Sequence, residues 1–143
     1  MYSNVKVLIV VRDIYKTVQS HWQVYKCTLN IDVFDNLSYY RVVRSKVSRR
    51  VLENIDEDSV IDRVVVNYLV TYEEVLKLVP RFYGRVLVVK YEDGDKQHTL
   101  TQLSEFIGIE FRKRVDKVEL EKSVDDVVKE RVDRILKLWC RVS

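Results

Sequence analysis

Two apolar segments of the chain constrain its fold more than any other feature. Residues 5–11 (VKVLIVV) and residues 85–91 (RVLVVKY) are nearly continuous runs of Val, Leu and Ile. Such runs are typical of parallel strands that are covered on both faces. The residues between the two runs carry apolar positions at helical spacing, as a crossover between parallel strands requires. The sequence therefore predicts a single α/β domain over residues 1–143, a small three-layer fold with a mainly parallel sheet flanked by helices.

Helices are predicted where apolar residues recur every three or four positions. The predicted helices cover residues 14–29, 40–51, 58–79, 99–108 and 119–141. Pro80 is expected to end the third helix, and Gly108 is expected to end the fourth in a left-handed conformation. Residues 29–33 alternate between apolar and polar, which indicates a short strand or an extended loop.

Arg12 and Ser20 form the candidate binding site. Arg12 directly follows the first strand, and ligands in open α/β sheets bind beyond the carboxyl ends of the strands. A guanidinium donates two parallel hydrogen bonds to phosphate oxygens, and a hydroxyl or a helix-start N–H can complete the shell. Because Ser20 lies two turns into the next helix, the pair is predicted to hold one phosphate above strands 5–11 and 85–91.

Residues 6–26 resemble the 3′-phosphate-binding segment of sulfotransferases that use 3′-phosphoadenosine 5′-phosphosulfate. That segment is an apolar strand, an Arg, seven residues and a Ser, and Arg12 and Ser20 match it. Residues 85–93 (RVLVVKYED) and 99–108 (TLTQLSEFIG) are similar to the family's V-L-x-x-x-Y-E-D strand and to the following helix that ends in F-L-G. The resemblance implies a truncated P-loop or sulfotransferase-like fold.

The resemblance implies a function for one half of a nucleotide site. Arg12 and Ser20 would bind the 3′-phosphate of 3′-phosphoadenosine 5′-phosphosulfate or of adenosine 3′,5′-bisphosphate, without a metal. The family's phosphate loop has no counterpart, because the sequence starts at Met1 and has no glycine before Gly84. We therefore expect a minimal, sulfotransferase-like protein that is degenerate or needs a homodimer or partner chain for sulfuryl transfer. No catalytic residue is assigned.

Other reactive side chains offer little chemistry. His21 points about 100° away from Ser20 on the same helix, and His98 is expected at a helix start. Adjacent strand residues such as Glu92 and Asp93 point to opposite faces, so they do not form a carboxylate pair. Cys27 and Cys140 are expected to be separate thiols. The absence of Ala and the dense charge suggest a thermophilic source, and a viral source is an alternative. If the source is a hyperthermophile, a disulfide between the two cysteines is the alternative to separate thiols.

A second reading is a non-catalytic interaction module. Basic residues line one side of the segment 41–50 and could bind a nucleic acid or a protein partner; they are Arg41, Arg44, Lys46, Arg49 and Arg50. The net charge of +3 permits an anionic ligand without requiring nucleic acid. No apolar run reaches about 18 residues and no signal peptide is recognised, so a cytoplasmic protein, in the host cytoplasm if viral, is expected.

Overall fold

The computed structural model describes residues 5–28, 37–90, 96–108 and 123–142. Within these ranges the elements are β1 (Val7–Val11), α1 (Ile14–Thr28), α2 (Leu37–Ser45), α3 (Arg49–Leu52), α4 (Val60–Leu78), a 3₁₀ helix (Val79–Phe82), β2 (Val86–Lys90), α5 (Lys96–Ile107) and α6 (Asp126–Val142). The chain divides into two compact units. The sheet unit comprises residues 1–13 and 77–121, and the helical unit comprises residues 14–76 and 122–143.

The sheet unit contains the two strands that the apolar runs predict. β1 and β2 pair in parallel, from Val7 beside Val86 to Val11 beside Lys90. The N–H of Val7 extends the ladder by donating to the carbonyl of Arg85 at 2.7 Å. Helix α5 packs against β2, so the pair and the helix after it follow the order expected of an α/β fold.

The strand residues are less buried than the prediction of two fully covered sheet faces requires. Ile9 and Val89 are buried, whereas Leu8, Val10 and Val88 are 42, 49 and 52% exposed. Residues paired across a parallel ladder lie on the same face, so Ile9 shares one face with Val88, and Val10 shares the other with Val89. Each face is therefore buried on one strand and exposed on the other. The described residues show a mixed helical and strand structure with a two-stranded sheet.

The helical unit is built around a core that joins α1, α4 and α6. Its fully buried members are aliphatic residues: Val18, Ile61, Val65, Val128, Val132 and Ile135. Ile14 and Trp22 of α1 pack against the edge of this cluster. The stripes predicted for the first and last helices thus point into one core, since residues three and four apart share a helix face.

The segment around Val43, Val47 and Val51 forms two helices where the sequence predicts one. The three valines are buried together against Val66 and Val70 of α4, as their spacing indicates. The helix breaks after Ser45, and Ser48 caps α3 by accepting a hydrogen bond from the N–H of Val51 at 3.4 Å. A serine side chain readily accepts a backbone N–H at a helix start, so Ser48 favours a new helix here. The spacing of the three valines predicts the buried face but does not predict this break.

The ends of the remaining helices agree in part with the sequence. α4 ends at Leu78 and leads into the 3₁₀ helix that contains Pro80, and Gly108 follows α5 with a φ of 81°. The last helix begins at Asp126, and residues 123–125 before it are not helical, whereas the first predicted residues, 119–122, lie outside the described residues. The predicted extended segment 29–33 lies outside the described residues.

A buried carboxylate fastens the helical unit. Asp62 of α4 is 2% exposed, and its Oδ1 accepts a hydrogen bond from Nε of Arg131 in α6 at 2.7 Å. Its Oδ2 accepts the backbone N–H of Asp56 at 2.8 Å. The carboxylate is therefore satisfied on both oxygens, which a buried charge requires.

Candidate functional site

The carboxyl edge of the sheet carries two cationic residues. The register sets Val11 beside Lys90, the last residue of β2, and Arg12 is the next residue after β1. Arg12 is half-buried and Lys90 is exposed. Both strands run in the same direction, so their carboxyl ends meet at one edge, where α/β sheets bind ligands. Sequence reasoning selected Arg12 for this edge and missed Lys90, whose place depends on the strand register.

Ser20 lies on α1, which starts two residues after Arg12. Arg12 belongs to the sheet unit and Ser20 to the helical unit, so their convergence on one point stays a prediction. Both residues make contacts within the chain. The described part of the candidate site is therefore the cationic sheet edge, and the contribution of Ser20 stays a prediction.

Polar groups beside Ser20 join α1 to the start of α6. Gln19 is fully buried, and its Oε1 accepts the backbone N–H of Asp125 at 2.9 Å. The ammonium of Lys26 donates to the Asp125 carboxylate at 2.9 Å, and this bond is the largest cause of the lowered pKa of the Asp125 carboxyl. Gln19 was not selected from the sequence, although its place between Val18 and Ser20 on an amphipathic helix made burial plausible. These contacts position α1, which carries Ser20.

His21 has a local contact that accounts for its ring. Its Nδ1 lies 2.8 Å from the carbonyl of Thr17, one turn earlier in α1. His21 is half-buried, and no described contact gives it a role at the sheet edge. His98 lies in α5 and is exposed, whereas Glu92 and Asp93 lie outside the described residues.

Most of the basic segment 41–50 is paired with acidic side chains. Arg44 pairs with Glu57 at 2.7 Å, Lys46 with Glu74 at 3.3 Å, and Arg49 with Glu53 at 2.9 Å. Across the described residues, only Arg41 and Arg50 of this segment take part in no ion pair. The pairing reduces the local positive field that a nucleic-acid backbone would bind.

Glu57 is the centre of the largest group of these contacts. It accepts hydrogen bonds from Nε of Arg44 and from the hydroxyl of Tyr40, at 2.7 and 2.9 Å. The bond from Arg44 lowers the pKa of Glu57, while burial and then the bond to Glu57 raise the pKa of Tyr40. The guanidinium of Arg63 lies 4.9 Å from the Tyr40 ring centre and donates to the carbonyl of Glu57. The arrangement neutralises charge and fixes α2 to the start of α4.

Cys27 and Cys140 are free and exposed. Tyr15 contacts Asp133 and Lys26 contacts Asp125, so α1 and α6 run antiparallel, and Cys27 lies near the start of α6. Cys140 lies near its end, about 20 Å further along at 1.5 Å per residue. Disulfides join Cα atoms roughly 4.4–6.8 Å apart. The two cysteines of one chain therefore do not form a disulfide in this fold.

The described residues contain no group of three or more His, Cys, Asp or Glu side chains that could hold a metal ion. Among the helices in the described ranges, none combines the length and apolar character needed to cross a membrane.

Comparison of the chain with protein-family models, curated proteins and solved structures found no match.

Proposed function

We propose that the protein binds the 3′-phosphate of an adenine nucleotide at the carboxyl edge of its sheet. The observation that carries this proposal is the position of Arg12, directly beyond β1 in a parallel pair whose carboxyl ends lie side by side. A guanidinium at that edge can bind two phosphate oxygens at once. Ser20, from the helix that follows, is proposed as the second ligand-binding group.

The nucleotide in this proposal is 3′-phosphoadenosine 5′-phosphosulfate or adenosine 3′,5′-bisphosphate. The motif around Arg12 and Ser20 and the motif around residues 85–93 support this choice, because they occur in the order in which sulfotransferases carry them. We propose a minimal sulfotransferase-like protein that retains the 3′-phosphate half of the site.

A thermal-shift titration with adenosine 3′,5′-bisphosphate tests the proposal. Ligand at 100 times its Kd stabilises a folded protein by about 2.7 kcal/mol, which raises the Tm of a domain this size by several degrees. Arg12→Gln should abolish the rise and Ser20→Ala should reduce it, since each removes a phosphate contact. Arg50→Gln is the matched control, because it removes one exposed positive charge from the helical unit and should leave the rise unchanged.

The same titration separates the nucleotide proposal from the interaction module. If millimolar ligand leaves the Tm of well-folded protein unchanged, the nucleotide proposal is wrong. Salt-sensitive binding to a nucleic acid that is lost in Arg41→Gln and Arg50→Gln would then support the module that uses segment 41–50. The ion pairs of Arg44, Lys46 and Arg49 lead us to favour the nucleotide.

A further inference from the structure

We propose that Lys90 is a second anion-binding residue of the sheet edge and makes the site selective for a dianionic phosphate monoester. The inference rests on the proposed function, and it adds a residue that neither the Arg12 motif nor the strand motif assigns as a ligand. It comes from the strand register, which sets Lys90 beside the residue that precedes Arg12.

The backbone geometry allows both cations to reach one phosphate. Neighbouring strands lie about 4.8 Å apart, and each residue advances about 3.3 Å along a strand. Since Val11 is level with Lys90, the Cα of Arg12 is expected about 6 Å from the Cα of Lys90. Both side chains are long and flexible, so their charged ends can approach the same anion from two adjacent strands even when they leave the sheet on opposite faces.

Lys90 differs from three other described lysines in having no side-chain partner among the described residues. The ammonium of Lys6 donates to the carbonyl of Phe106, Lys26 pairs with Asp125, and Lys46 pairs with Glu74. The Lys90 side chain is exposed and makes no hydrogen bond or ion pair across the part of the chain that the structure describes. It follows four apolar residues at the end of β2. Among the described residues the Lys90 ammonium is therefore not engaged, and Lys90 lies at the edge that carries Arg12.

The presence of two cations, Arg12 and Lys90, indicates the class of phosphate. A phosphate monoester carries a charge of about −1.5 to −2 at pH 7, whereas a phosphodiester carries only about −1. One guanidinium balances a diester, and a second cation adds attraction chiefly for the monoester. We therefore infer that Lys90 contributes more to binding a terminal 3′-phosphate than to binding the same phosphate closed into a diester.

The experiment compares adenosine 3′-monophosphate with adenosine 2′,3′-cyclic monophosphate on the full chain by calorimetry. Wild type should prefer the monoester, and Lys90→Gln should weaken monoester binding about 3- to 10-fold while changing diester binding about twofold or less. Lys90→Arg should retain the preference, because it retains the charge. Arg81→Gln is the matched control: Arg81 is an exposed cation of the sheet unit before the amino end of β2, and its loss should leave both affinities unchanged.

The outcomes distinguish this inference from the function on which it rests. If wild type binds the monoester, Arg12→Gln abolishes binding, and Lys90→Gln behaves like Arg81→Gln, Lys90 is not a ligand and the proposed function stands. If Lys90→Gln weakens both ligands equally, the selectivity is wrong. If wild type binds neither adenosine 3′,5′-bisphosphate nor the monoester, the proposed function and the inference are both wrong.

Discussion

The helical unit and the sheet unit bury their apolar residues to different extents. In the helical unit Val18, Val65, Val66, Val128 and Val132 are completely buried, and the buried carboxylate of Asp62 is hydrogen-bonded on both oxygens. In the sheet unit the described core contains only Ile9 and Val89, and neighbouring strand residues are about half exposed. The two units share one chain and similar Val-rich segments, so the amount of apolar sequence does not explain the difference.

The comparison separates the part that stabilises the protein from the part that carries the candidate site. Each buried aliphatic side chain contributes roughly 1.5–3 kcal/mol relative to an exposed one, so among the described residues most of that gain lies in the helical unit. A two-stranded sheet has little stability of its own, and parallel strands are usually covered on both faces. Arg12 and Lys90 thus lie at the edge of the less buried unit, which is common for binding residues.

Truncating Ile135 should cause the largest loss of stability. Ile135→Ala removes a buried side chain between α1, α4 and α6 and should lower the free energy of unfolding by about 2–5 kcal/mol, measured by urea denaturation. Val127→Ala on the same helix is the control, since Val127 is 42% exposed and its truncation should change stability by about 0.5 kcal/mol or less. Equal losses would show that α6 does not bury the face described here.

Two neighbouring valines of β2 should differ in sensitivity to a hydroxyl. Val89→Thr buries a polar group and should cost about 1–2 kcal/mol, whereas Val88→Thr should cost about 0.5 kcal/mol or less, because its hydroxyl stays hydrated. Urea denaturation of the two variants measures the contrast. A large cost at Val88 would mean that this face of the sheet is covered in solution, and the contrast between the two units would weaken.

Acid should remove a small contribution from Glu57. Its folded pKa lies below the usual value, chiefly through the bond from Arg44, so its stabilisation is present above about pH 4.5 and is lost as the pH falls through the lowered pKa. Glu57→Gln should cost about 0.5–1 kcal/mol at pH 7, and this deficit should shrink as the pH falls below about 4.5. Urea denaturation across that range measures it.

Glu105→Gln is the matched control for the acid experiment. Glu105 is exposed in the sheet unit, and over the described ranges it takes part in no ion pair, so its substitution should leave stability unchanged at each pH. A deficit for Glu57→Gln that stays constant with pH would contradict the ion pair with Arg44 as its source.

The sequence by itself determined which segments are strands and which helix faces are buried. The runs before Arg12 and after Arg85 form parallel strands, and the spacing of Val18 in α1 and of Val128, Val132 and Ile135 in α6 matches one core. These features are local, because apolar periodicity reflects the geometry of a single element. The position of Arg12 at a strand end also follows from the sequence alone, whereas its convergence with Ser20 stays a prediction.

Only the tertiary structure decided which residues meet. Lys90 lies beside Val11 because of the strand register, and Asp62 meets Arg131 across 69 residues of chain. The break at Ser48, the pairing of segment 41–50 with Glu53, Glu57 and Glu74, and the half-exposed strands likewise depend on neighbours that no periodicity encodes. The local pattern determines which face of its own element a side chain occupies. Its partner lies on another element, far away in sequence, and depends on how the two elements pack.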